Sequence, residues 1–203
     1  MDTIQQKVLV LDFGAQYGQL IARRVRDLGV YSEIVPCDLD AAEIEALEPS
    51  ALILSGGPAS VYADDAPGID PGVFELGLPV LGFCYGQQIM AVTLGGNVAH
   101  TDKGEYGRAT IEKRSDSGLL AGTPETQTVW MSHRDSVTQV PDGFVITSST
   151  DVCPVASMEC AERRLFATQA PLESVLGDGY VYVEGLMPAG SGYPVCVIGL
   201  RAE

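Results

Sequence analysis

The stretch Leu78–Gly96, LPVLGFCYGQQIMAVTLGG, constrains this chain more than any other. It reads as a buried strand over Pro79–Phe83, a sharp turn at Cys84 and a helix from about Gln87 to Leu94. Gly82 and Gly86 bracket the cysteine as G-x-C-x-G. A strand-to-helix elbow needs small flanking residues because the turn is tight and strained. Such a turn lifts the cysteine above the sheet edge. The helix behind it brings a positive N-terminal dipole, which favours thiolate. Its free backbone N–H groups can hold a developing oxyanion. A buried structural cysteine at a strand-helix junction is the plainer reading, since cysteine is often buried and inert. The paired glycines, the apolar strand and the helix favour a reactive thiol.

At 203 residues one domain is the default, with enough chain to bury a stable core. The net charge of −15 argues against a nucleic-acid surface. No apolar run reaches transmembrane length and no signal peptide opens the chain, so no membrane role and a cytoplasmic location are expected. The cysteines, Cys37, Cys84, Cys153, Cys160 and Cys196, are scattered and odd in number. With no CxxC pair, neither a metal site nor a disulfide framework is expected, and a reducing compartment is.

From the N-terminus, Lys7–Leu11 is a strand-length apolar run, followed by a turn at Asp12-Phe13-Gly14. Gln16–Leu28 has helical spacing and stops at Gly29. Tyr31–Val35 is a second strand, Ala41–Leu47 a short helix and Ala51–Leu54 a third strand. Such alternation implies parallel strands with right-handed crossovers. Functional loops then gather at the carboxyl ends of the strands. Two candidates are Asp12–Tyr17 (DFGAQY) and Ser55-Gly56-Gly57-Pro58. Composition alone makes the first a tight turn. The glycines of the second allow close backbone approach to a ligand, but no Lys-Ser/Thr follows as a phosphate loop requires.

Val61–Gly77 reads as a surface loop without chemistry, holding a short helix near Pro71–Leu76. After Gly96 the strands become short and alternating: Tyr106–Glu112, Gln127–Ser132, Phe144–Ser148, Val155–Met158 and Leu165–Thr168. They imply antiparallel strands added in the C-terminal half. The expected fold is a doubly wound, flavodoxin-like α/β domain with a mixed sheet. His100 reads as a surface residue, and His133 as a strand-end histidine or a site residue.

GFCYGQQIMA closely resembles the nucleophile elbow of class I glutamine amidotransferases. DFGAQY, Glu105-Tyr106-Gly107 and Met131-Ser132-His133-Arg134-Asp135 resemble segments of its GMP synthetase branch. That branch usually carries Arg before EYG, where this chain has Gly104. The resemblance implies a cysteinyl thioester at Cys84, with Gly57 and the backbone of Tyr85 as oxyanion donors. It implies a glutamine site lined by Gln88, Ser132, His133, Arg134 and Asp135. It further implies ammonia delivery to an ATP- and Mg2+-using pyrophosphatase module that aminates xanthosine monophosphate. No Ser-Gly-Gly-x-Asp loop for that module occurs in this chain, so no cofactor is expected within it. The module would be a missing C-terminal part or a separate subunit, and a truncated product is the expectation.

The family places His-x-Glu soon after a strand ending in Gln. Here Gln169 is followed by Ala170-Pro171-Leu172-Glu173, and no histidine occurs after His133. The expected division is therefore an amidotransferase domain over 1–169 and a divergent tail over 170–203, which is either real or read out of frame. Three functions stay open: an impaired amidotransferase, a catalytically silent glutamine-binding domain, and another cysteine hydrolase of the same fold. The motif matches argue against the third.

Overall fold

The computed structural model describes residues 6–14, 18–27, 29–57, 60–115 and 118–170, and the backbone of 180–183 and 196–199. Strands β1 (Lys7–Asp12), β2 (Tyr31–Pro36), β3 (Ala51–Leu54) and β4 (Val80–Phe83) alternate with helices α1 (Gly18–Asp27), α2 (Ala41–Ala46) and α3 (Tyr85–Thr93). Then come β5 (Asn97–Lys113), β6 (Thr126–Gln139), β7 (Val145–Ser149), β8 (Ser157–Cys160) and β9 (Leu165–Thr168). All nine strands form one sheet in the order β2-β1-β3-β4-β9-β8-β7-β5-β6. The five strands from β2 to β9 pair in parallel. The remaining pairs are antiparallel. This is the expected doubly wound α/β fold with a mixed sheet.

Alternation along the central strands decides which helix covers which face. Val8, Val10, Ile53, Leu81 and Phe166 point to the side where α1 packs Ile21, Ala22 and Val25. Leu9, Leu11, Leu52, Leu54 and Val80 point to the side covered by Ile44 of α2 and Met90 of α3. Both faces are dry, so β1, β3 and β4 read as unbroken apolar runs.

Two differences from the sequence reading bear on the site. Helix α3 starts at Tyr85, two residues before its apolar spacing suggests. The carbonyl of Cys84 accepts the N–H groups of Gln87 and Gln88, both at 3.1 Å, and so closes the first turn at once. Strands β5 and β6 are 17 and 14 residues long, far beyond the short segments expected. They lie at the sheet margin with one polar face, and the register slips between His100 and Glu105. That irregularity hid the continuity of β5.

Strands β10 (Tyr180–Val183) and β11 (Cys196–Gly199) pair antiparallel as a separate two-stranded sheet. The rest of the expected tail from residue 171, and Ala15, Gln16 and Tyr17 of the DFGAQY loop, lie outside the described residues. No helix among the described residues is long and apolar enough to cross a membrane.

Candidate active site

Cys84 stands between β4 and α3 with φ 52° and ψ −105°. That conformation lies outside the left-handed helical well and is costly for a residue with a side chain, about 1–3 kcal/mol. Packing on both sides maintains it. A Cβ on Gly82 would stand 2.6 Å from the carbonyl oxygen of Gly86, and one on Gly86 would stand 2.4 Å from that of Leu54. Both glycines are therefore demanded by the contact of α3 with the sheet. The Cys84 N–H donates to the Thr168 carbonyl at 2.8 Å, which ties the elbow to the end of β9.

The thiol lies at a cleft of about 520 Å³. Gly57, Tyr85 and Gln88 line the cleft with Cys84, and Ser132, His133, Arg134 and Asp135 of β6 line it from the other side. The structure thus brings together all eight residues singled out in the sequence. At Gly57 a Cβ would meet the Phe13 carbonyl at 2.9 Å and the Tyr85 ring at 3.1 Å. Phe13 stacks obliquely on Tyr85, with ring centroids 5.4 Å apart. The Asp12–Gly14 turn, closed by Gly14 N–H donating to Asp12 Oδ1 at 2.9 Å, therefore also braces the wall that carries Gly57. Tyr85 donates its hydroxyl to the Pro67 carbonyl at 2.7 Å. Burial, assisted by nearby Cys37, pushes that hydroxyl up to about 12.

The electrostatics of the sulfur depart from expectation. The helix dipole was expected to favour thiolate, yet the Cys84 thiol is raised above its ordinary value. Burial is the largest cause, and the Tyr85 N–H and the Gln169 amide only partly oppose it. Gln169 Nε2 donates to Cys84 Sγ at 3.3 Å. The orientation of that amide is set by Gln88, whose Nε2 donates to Gln169 Oε1 at 3.1 Å and to the Asp135 carbonyl at 2.9 Å. Both N–H groups of Gln88 are thereby engaged within the protein, leaving Oε1 as the atom through which its side chain would meet a ligand.

Gln169→Leu should slow Cys84 alkylation by iodoacetamide several-fold at a fixed pH, because removing a donor to the sulfur lowers the thiolate fraction. The pH profile of alkylation checks this, and an unchanged profile would show the contact to be idle.

His133 is not at a strand end. It lies within β6, is 5% exposed, and contacts Glu105 Oε2 through Nε2 at 3.0 Å and the Asp135 carbonyl through Nδ1 at 3.1 Å. Gly104 sits in the β5 irregularity, where a Cβ would stand 2.9 Å from the His133 carbonyl, so a larger residue there would displace the strand.

Sequence reasoning missed four residues of the cleft. His100, read as surface, is exposed but contacts Asp135 Oδ1 through Nδ1 at 2.8 Å. Ser60 also hydrogen-bonds the Asp135 carboxylate. Burial pushes that carboxyl up, but the bonds from Ser60 and His100 outweigh it, and the group titrates below its usual range. Tyr62 belongs to the loop read as lacking chemistry, yet it lines the cleft and shares its hydroxyl between Asn97 Oδ1 and the Val98 N–H. Tyr106 is the fourth, 69% exposed at the rim. Tyr106 is marked by the Glu105-Tyr106-Gly107 match, but without a place in the site. The other three carry no local signal, because each reaches the site through strand pairing or loop return.

A sequence profile of the family described as glutamine amidotransferase class-I matches residues 9–181. The chain is 59% identical over 162 residues to a GMP synthase (glutamine-hydrolyzing) of Thermobifida fusca, an alignment covering 80% of this chain and 31% of that protein. It is 52% identical over 165 residues to the protein of the same name from Syntrophomonas wolfei, covering 81% and 32%. The chain thus spans about a third of the length of these curated relatives. Among solved structures, a putative GMP synthase subunit from Thermoplasma acidophilum superposes with a TM-score of 0.71 at 30% identity, covering 83% of this chain and 84% of that one. A glutamine amidotransferase from Thermotoga maritima, at 19% identity and a TM-score of 0.65, shares the fold.

Proposed function

The chain belongs to the class-I glutamine amidotransferase family, and from that premise we propose that it is the glutamine-hydrolysing part of a GMP synthase, with Cys84 as its nucleophile. The observation that carries this reading is the strained cysteine at the elbow, facing a cleft shared with Gly57 and the Ser132–Asp135 segment.

In the proposed reaction, Cys84 Sγ attacks the side-chain amide carbon of glutamine. The carbonyl oxygen becomes an oxyanion held by the backbone N–H groups of Gly57 and Tyr85. The C–N bond breaks, and the proton lost by the thiol leaves with ammonia. Water then hydrolyses the thioester, releasing glutamate and returning the thiol. Asp135, kept anionic by Ser60 and His100, suits the glutamine α-ammonium group. Ser132 and Arg134 of the same strand complete the proposed substrate side.

Ammonia would pass to an ATP- and Mg2+-dependent synthetase module, by analogy with the curated relatives, and aminate xanthosine monophosphate there. That chemistry lies outside this domain.

The proposed enzyme is slow. The resemblance places a His-x-Glu pair soon after Gln169, and this sequence has no histidine beyond His133. His133 is engaged at both ring nitrogens, which disfavours it as a substitute base. General-base assistance is worth about 10²–10⁴ in rate, and the deficit should be of that order. The raised Cys84 thiol favours a second reading, a silent glutamine-binding domain of the same fold.

Glutamate release from glutamine, assayed with and without a synthetase module and beside Cys84→Ser, separates the two. Slow release that Cys84→Ser abolishes supports the enzyme. Calorimetric glutamine binding with release no greater than in Cys84→Ser supports the silent domain and overturns the enzyme.

A further inference from the structure

Behind the β6 wall lies a second cluster that the proposed reaction does not use. Glu105, His133 and Cys153 each present a donor atom, and these atoms lie within 4.8 Å of one another. The His133 and Glu105 side chains are 2% and 11% exposed, and Cys153 is 0% exposed. Thiolate, imidazole and carboxylate are the ligand types that zinc takes.

The hydrogen bonds around the cluster are those of a metal site's outer shell. A ligating imidazole usually donates its other N–H to a carbonyl, and ligating carboxylates are themselves hydrogen-bonded. Here His133 Nδ1 faces the Asp135 carbonyl at 3.1 Å, and Thr150 Oγ1 donates to Glu105 Oε1 at 2.8 Å. The same Thr150 oxygen accepts the Cys153 N–H at 2.8 Å, which sets the loop carrying the thiol.

Two further observations point to a ligand. First, both ring nitrogens of His133 face oxygens, of a carbonyl and of a carboxylate, at 3.1 and 3.0 Å. A neutral imidazole carries one N–H, so one contact needs a cation between nitrogen and oxygen, either a second proton or a metal ion. Second, Ser136 is fully buried and its hydroxyl faces the Cys153 thiol, which places one more oxygen donor against the cluster.

We propose that Glu105, His133 and Cys153 form a site for a divalent, borderline-soft cation, best matched by zinc, with Ser136 Oγ or water as the fourth ligand. Tetrahedral zinc separates a nitrogen and an oxygen ligand by about 3.3 Å and a sulfur and a nitrogen by about 3.5 Å. The 3.0 Å pair needs to open by a few tenths of an ångström, and the thiol, at most 4.8 Å from the other donors, to close by no more than about 1.3 Å. The ion replaces two protons, one from the Cys153 thiol and one from His133 Nε2. Its two charges are then balanced by one thiolate and one carboxylate, so the buried site is neutral. The ion enters from the cleft, which His133 lines, and holds β5, β6 and the Cys153 loop together beneath it.

Cobalt(II) is the probe, because its thiolate charge-transfer and tetrahedral ligand-field bands report sulfur ligation directly. Titration of the EDTA-treated chain should saturate at one equivalent with both bands. Cys153→Ser should abolish the charge-transfer band, while Cys84→Ser should retain it. Thr150→Val, which leaves all three ligands in place, should weaken binding about 10–100-fold. No band in the wild-type chain overturns the site and leaves the proton as the cation. A band lost in Cys84→Ser and kept in Cys153→Ser overturns it in favour of the cleft thiol. Should Cys153→Ser fail to fold, the wild-type titration and the Thr150→Val shift decide alone. None of these readouts depends on glutamine hydrolysis.

Discussion

A chloroketone analogue of glutamine is expected to add once to the wild-type chain, at Cys84, and not to add to Cys84→Ser. The selectivity comes from binding. Of the cysteines whose exposure is described, Cys37 and Cys84 are partly accessible, and Cys153 and Cys160 are buried. Burial and the neighbouring Asp38 raise the Cys37 thiol, and burial raises that of Cys84, so neither is intrinsically primed. A small reagent such as iodoacetamide should therefore discriminate poorly between them. The glutamine-shaped reagent should label Cys84 at least about 100-fold faster than Cys37, because bound positioning supplies large effective concentrations. Labelling should still climb with pH past about 8.5, the usual cysteine value, since only thiolate reacts and this thiol titrates later. Peptide mapping by mass spectrometry checks the site. Equal labelling of Cys37, or labelling that survives Cys84→Ser, would remove the elbow from the proposed chemistry.

Gly86→Ala is expected to produce the largest loss of stability of any single methyl addition at the elbow. The new Cβ would lie 2.4 Å from the Leu54 carbonyl oxygen and 2.7 Å from the Leu54 Cβ, at the buried C-terminal end of β3. No flexible side-chain tip is available to yield, so α3 must move off the sheet. A cost of about 3 kcal/mol or more follows, against a typical total of about 5–15 kcal/mol. Gly95→Ala is the control. Its φ of +90° is unfavourable for alanine, but nothing lies within 4 Å of the added carbon, so only about 1–2 kcal/mol of backbone strain is expected. Urea unfolding followed by circular dichroism compares the two. A Gly86→Ala midpoint no lower than that of Gly95→Ala would show that the helix does not press on β3 as described.

Much of the fold was legible because it is written locally. Lys7–Leu11, Ala51–Leu54 and the residues before Cys84 are apolar without interruption, which strands buried on both faces require. Leu165–Thr168 was placed to the residue. Strands β5 and β6 were underestimated because a marginal strand with one wet face carries a weaker apolar signal, and the slip between His100 and Glu105 interrupted even that. The same slip explains the misreading of His100. Five positions separate it from Glu105, yet the register sets them against Asp135 and His133, two residues apart on β6. Glu105, His133 and Cys153 are 20 or more residues from one another, so no spacing rule could have joined them.

The sequence by itself determined the elbow: glycines at 82 and 86, an apolar strand before Cys84 and a helix after it are properties of neighbouring residues. It also determined family membership through short contiguous motifs. Only the tertiary structure decided the state of the sulfur. Desolvation by everything packed around Cys84 outweighs the donors aimed at it, and no local pattern encodes that sum. Only the tertiary structure, too, decided which groups share the cleft, because sheet register and loop return bring Ser60, Tyr62, His100 and β6 together over distances the chain does not record.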